Sequence, residues 1–100
     1  MSSFMLLYNG PATATDASHE GWPEWFQSLG DRLVDRGAPM TASGFVVHGD
    51  GRTSVAAASL NGYSVIRADS RDAVRDALRT HPFLAAGSEY RIDVYELPGD

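Results

Sequence analysis

The order of apolar runs and amphipathic segments predicts an α+β fold laid out as β-α-β-β-α-β. Short apolar runs of strand length centre on Phe4–Tyr8, Phe45–Val47, Tyr63–Arg67 and Tyr90–Leu97, and Gly, Pro or Asn residues bound them. Two segments, starting at Trp22 and at Arg71, space their apolar residues at helical steps. The two helical segments fall between the strands in the split βαβ order.

Phe4-Met5-Leu6-Leu7-Tyr8 is apolar on both alternating faces and stops at Asn9-Gly10-Pro11. Such a strand requires cover on both sides. The connector from Asn9 to Gly21 is long for a compact domain, so it is either a functional loop or a plain surface loop. Trp22 to Arg36 reads as a helix, with Pro23 in its first turn and Trp22, Phe26, Leu29 and Leu33 on one face. Trp25 flanks that stripe, and Glu24, Ser28, Asp31 and Asp35 lie opposite. Gly37, followed by Pro39, suits the left-handed position just past the helix end. Phe45-Val46-Val47 is a strand centre, and Gly49-Asp50-Gly51 a turn. Thr53 to Ser59 either pairs back as a hairpin arm or forms a loop. Asn61-Gly62 turns the chain into the strand Tyr63–Arg67. Asp69 or Ser70 caps a second helix, Arg71 to about Thr80, with Val74, Ala77, Leu78 and His81 on one face. Pro82 ends it. In the last strand, Tyr90 to Leu97, Ile92 and Val94 face one way, Tyr95 and Leu97 the other.

This is the ferredoxin-like plan, in which both helices cover one face of the sheet. Met5, Leu7, Tyr95 and Leu97 then lie on the uncovered face. A small domain rarely leaves so much apolar sheet bare, and two sheets packed face to face in a two-fold homodimer would cover it.

The 100 residues suffice for one domain, residues 1–100. The net charge is −5, and all eight basic residues are arginines, scattered and interleaved with acids. A nucleic-acid binder needs a basic stripe, and none is present. No apolar run is long enough to span a membrane; Met1 to Asn9 has no basic stretch, and Phe4–Tyr8 within it reads as a strand, not a signal peptide. The absence of cysteine excludes thiolate chemistry and fits a reducing, cytoplasmic location. His19, His48 and His81 lack metal-ligand spacing, and no phosphate loop or dinucleotide fingerprint occurs, so neither metal nor cofactor is expected.

Several stretches, taken in order, carry a resemblance. These are Met5-Leu6-Leu7-Tyr8, the first helix with Gly37, Leu60-Asn61-Gly62-Tyr63-Ser64-Val65-Ile66, Ala68-Asp69-Ser70-Arg71-Asp72-Ala73, His81-Pro82-Phe83-Leu84-Ala85-Ala86-Gly87, and Glu89 to Leu97. Together they resemble the YCII-related family, including its branch named for an Asp-Gly-Pro-Phe motif. The resemblance implies a ferredoxin-like dimer related to the dimeric α/β barrels. Some members pair a His on the first helix with the Asp of an Asp-Pro-aromatic motif. Here the helix offers Trp25 or Phe26, and His81 occupies the Asp position, so that dyad does not carry over. The branch motif corresponds either to Asp50-Gly51-Arg52-Thr53 or to nothing in this chain.

His81 is the leading candidate for chemistry, because an imidazole suits proton transfer near neutrality. It stands where the second helix ends, and the helix dipole alone would also account for a His there. His19 and Glu20, in the long connector, and Glu24, at the first helix start, are further candidates for acid–base roles. Tyr8, Trp22, Trp25 and Phe83 are expected to shape a pocket for an apolar or aromatic molecule. A buried His81 needs a polar partner, expected to be Glu20, Glu24 or a backbone carbonyl. Two functions follow. One is a cofactor-free enzyme, of the lyase or isomerase type that the resemblance implies, with His81 as general acid/base. The other is a non-catalytic dimer that binds a small molecule or serves as an accessory subunit.

Overall fold

The computed structural model describes residues 1–11, 21–40, 44–56 and 59–98. Its main sheet is four-stranded and antiparallel throughout. The strands are β1 (Ser2–Asn9), β2 (Leu33–Pro39), β5 (Leu60–Ala68) and β6 (Arg91–Leu97), in spatial order β2-β5-β1-β6. Helix α1 (Trp22–Leu29) joins β1 to β2, and α2 (Arg71–Leu78) joins β5 to β6. This mixed α+β arrangement is consistent with a small ferredoxin-like fold. A separate hairpin of β3 (Phe45–Val47) and β4 (Thr53–Val55) is inserted between β2 and β5. No helix among the described residues is long and apolar enough to cross a membrane.

The second strand of the plan is therefore Leu33–Pro39, not the Phe45–Val47 run. The helix expected to reach Arg36 ends at Leu29. Gly30 stops it with φ 60, and a short 3-10 turn, Gly30–Arg32, leads into β2. Leu33 keeps its inward direction but does so as a strand residue, packed on the core opposite Ile66. Gly37 does adopt a left-handed conformation, φ 76, but inside β2, where the register against β5 slips between Asp35 and Ala38. This bulge brings Gly37 so close to β5 that a Cβ would fall on the Tyr63 carbonyl oxygen. Pro39 is tolerated because β2 is an edge strand. Asn61-Gly62, expected as a turn, belongs to β5, and Gly62 admits the close passage of the Ala38 carbonyl. The Gly49–Gly51 turn closes β3 onto β4 as expected, with the His48 N–H donating to the Arg52 carbonyl.

Period-two alternation in the central strands sorts the core. Phe4, Leu6 and Tyr8 of β1 and Ile66 and Ala68 of β5 are buried on one face, and Trp25, Phe26, Leu29, Val74 and Leu78 come down on them from the helices. Each such large side chain contributes about 1.5–3 kcal/mol by leaving water. The other face carries Met5 and Leu7, paired with Val65 and Tyr63 on one side and with Tyr95 and Asp93 on the other. Tyr95 there is 58% exposed. α2 starts at Ser70, whose hydroxyl accepts the Ala73 N–H at 3.1 Å. It ends at Leu78, and the turn through His81 and Pro82 leads to a 3-10 turn, Leu84–Ala86.

Candidate functional site

α1 opens at Gly21, which is left-handed (φ 87) and accepts the Trp25 N–H, so Trp22 and Phe26 are set one turn apart. Trp22 leans over Tyr8 at the end of β1, and Phe26 lies 6.0 Å from Trp22, ring centre to ring centre. Trp22 meets Tyr8 edge-on, with ring centroids 4.9 Å apart. Phe83, delivered by the turn after α2, lies 5.1 Å from Tyr8. These four aromatics wall a cavity of about 410 Å³. Its other side is the bulged β2 from Arg36 to Pro39, with Met40, and the start of β5. The volume falls in the range that holds small-molecule ligands.

A larger concavity, about 820 Å³, lies between α2 and β6. Two of its three rim arginines are engaged within single helical turns, Arg75 with Asp72 at 3.5 Å and Arg79 with Asp76 at 3.7 Å, while Arg71 is in no ion pair among the described residues. Its floor, including Phe4, Val74 and Leu78, has no buried polar group, unlike the smaller cavity.

Behind the smaller cavity's aromatic wall sits His81, 1% exposed. Its ring packs 4.1 Å from Trp25 and 4.6 Å from Trp22, centroid to centroid. The Phe83 N–H donates to Nδ1 at 3.1 Å, so that nitrogen carries no proton. The proton is on Nε2, which faces the Tyr8 hydroxyl at 3.1 Å. Tyr8 in turn donates to Ser64 Oγ at 2.8 Å, and Ser64 donates to the Arg36 carbonyl at 2.7 Å. The two ends fix the direction of the whole chain, because a backbone N–H only donates and a carbonyl only accepts. The bulge in β2 makes the last link possible by turning the Arg36 carbonyl away from the strand ladder.

The partner of His81 is thus a phenol, in place of the expected carboxylate or backbone carbonyl. With aromatic rings around it and no carboxylate of the described residues beside it, burial pushes the His81 pKa down to about 4. Burial likewise pushes Tyr8 up to about 12, with the Ser64 hydroxyl partly opposing. Near neutrality both groups are uncharged.

Of the other expected residues, Tyr8, Trp22 and Phe83 line the cavity. Trp25 is buried beside it and ties α1 to α2, its indole N–H donating to the Ala77 carbonyl at 3.0 Å. Glu24 is exposed on α1, on the side away from the core. His19 and Glu20, with most of the long connector, lie outside the described residues. His48 belongs to the hairpin, 2.9 Å from Ser54 Oγ. Sequence reasoning did not single out Ser64, Arg36 or Phe26 for the site. Ser64 had a signal: it is a polar residue at an inward position between Gly62 and Ile66. Arg36 had none, because it was read as the end of a helix.

No protein-family model matches the chain, and comparison with curated proteins finds no match. Among solved structures it is similar to 5-chloro-2-hydroxyhydroquinone dehydrochlorinase from Burkholderia phenoliruptrix, determined in complex with 2,5-dihydroxybenzoquinone. The TM-score is 0.63 at 13% identity, over 98% of this chain and 95% of that one. At that identity the likeness concerns the fold.

Proposed function

We propose that this chain binds a small planar ring compound in the cavity walled by Tyr8, Trp22, Phe26 and Phe83, and that it works as a homodimer of YCII-like type. The observation that carries the reading is the cavity itself. It holds about 410 Å³ behind four aromatic rings, next to a buried polar chain that keeps one of those rings in place. Flat apolar walls favour flat apolar ligands through offset and edge-on contacts. The similar dehydrochlorinase structure, whose ligand is a small quinone, supports the same class of guest. Trp25 and His81 are back-wall residues in this reading. His81 holds Tyr8 in its orientation, and Glu24, exposed on the side of α1 away from the core, has no part in the binding. Titration of 1-naphthol into labelled protein, followed by NMR, tests it. Saturable shifts confined to Gly37–Met40, Asn61–Tyr63 and Phe83 are expected, and Phe26→Ala should weaken them. Absence of saturable shifts there would end the proposal.

A second reading, a cofactor-free catalyst of lyase or isomerase type, draws on one contact. Tyr8, a cavity-lining hydroxyl, is bonded directly to His81. His81 would then act on substrate only through Tyr8. Turnover of a bound ligand that is lost in both His81→Asn and Tyr8→Phe would favour it, and binding without turnover would favour the first.

A further inference from the structure

Polar groups around the cavity are mostly committed already. The Tyr8 proton goes to Ser64, so Tyr8 presents a ring and no donor. Both amide protons of Asn61 are spent, on the Gly10 and Ser59 carbonyls at 3.0 and 3.1 Å. The Gly37 N–H donates to Asp35 Oδ1 at 2.8 Å. Arg36 differs. Among the described residues that line the cavity it is the one charged side chain. Its guanidinium lies 5.1 Å from the centre of the Phe26 ring, at the same wall a planar guest would use. The ion pairs among the described residues engage Arg52, Arg75, Arg79 and Arg91, and none engages Arg36. Its five N–H donors point from a planar fork that matches a carboxylate.

We infer that the cavity selects an anionic aromatic ligand, a ring bearing a carboxylate, with Arg36 as the residue that sets that preference. The inference rests on the reading of this cavity as a ligand site and adds the charge of its occupant. The ring enters among Trp22, Phe26 and Phe83, and the carboxylate stays at the rim against the guanidinium. An anion at the rim keeps part of its hydration, which avoids the large cost of full burial. The protein as a whole carries −5, so selection of an anion comes from this local cation and not from the overall field.

The test compares 1-naphthoate with 1-naphthamide, which share a ring system and differ in charge, by calorimetry on the full chain. The naphthoate should bind about tenfold tighter at low ionic strength, as a charge-assisted bidentate contact allows. That gap should narrow with added salt. In Arg36→Gln it should vanish while naphthamide binding persists, and Arg36→Lys should retain part of it. Persistence of naphthamide binding also shows that the variants are folded. Equal affinity of the two ligands for the unaltered protein overturns the anion preference and leaves the aromatic cavity standing. A gap that survives in Arg36→Gln overturns the role of Arg36. Failure of both ligands to bind overturns the preference together with the reading on which it rests.

Discussion

His81 carries its one ring proton toward Tyr8 and accepts the Phe83 N–H on the other nitrogen. A second proton would break that accepted bond and place a charge among four aromatic rings. Burial accordingly lowers its pKa from 6.5 to about 4. In the unfolded chain His81 binds a proton near its ordinary value, so between those limits the unfolded state takes up more protons. Stability attributable to neutral His81 is thus complete above pH 6.5, falls as pH drops toward 4, and levels off below. The loss is on the order of 3 kcal/mol. Urea unfolding across that range should show it, and His81→Asn should flatten that part of the profile. At Gly37 the constraint is steric. φ is 76, and an added Cβ meets the Tyr63 backbone. Gly37→Ala should destabilise by about 2 kcal/mol or more, beyond the usual cost of filling a left-handed position, because the obstacle is a strand that cannot swing aside. Thermal denaturation unchanged by Gly37→Ala would show that the bulge is not as described.

The elements differ in what holds them. α2 is amphipathic, carries a side-chain cap at Ser70, and buries Val74 and Leu78. Ser70→Ala should cost about 1 kcal/mol, read as a lowered urea midpoint with unchanged slope. α1, of the same length, has no side-chain cap and a glycine at each end. Its place is decided by Trp25, Phe26 and Leu29 against the sheet and by the Trp25 indole on α2. The segment after it shows why helical spacing misled. Leu33 satisfies a helical step from Leu29, yet pairing with β5 offers Leu33–Pro39 a ladder of backbone hydrogen bonds, and Gly30 breaks the helix cheaply. The β3–β4 hairpin is the least buried element. Phe45, Val47 and Val55 share one face and are 71%, 64% and 88% exposed.

At the scale of the whole molecule, the two faces of the main sheet are unequally covered. Both helices pack on the Phe4, Leu6 and Tyr8 face. Met5, Leu7, Tyr63, Val65 and Tyr95 form the other, with no helix of the described residues over it. Under the homodimer proposed above, that face packs against its copy. Light scattering at micromolar concentration should then give twice the chain mass. Tyr95→Glu, which sets a charge on the apolar face that the pairing would bury, should shift the protein toward monomer while leaving the helix-covered core intact. A monomer in the unaltered protein would overturn the pairing of sheets.

Much of this was determined by the sequence alone, wherever the decisive forces are local. Breakers at Asn9-Gly10-Pro11 ended β1, Gly49-Asp50-Gly51 marked the turn after β3, and Asp69 or Ser70 on one side and Pro82 on the other bracketed α2. Alternation in Phe4–Tyr8 and Ile92–Leu97 assigned their faces, and helical spacing put His81 on the inward face with Val74, Ala77 and Leu78. Tertiary structure decided what depends on partners far along the chain. Whether 33–39 is helix or strand rests on β5, some thirty residues away, and with it the identity of the second strand, the bulge at Gly37 and the place of Arg36 at the cavity. The partner of His81 is likewise Tyr8, from the opposite end of the chain. A phenol in a strand core carries no local mark that an imidazole will meet it. Only the packing of β1 beneath the turn after α2 brings the two within 3.1 Å.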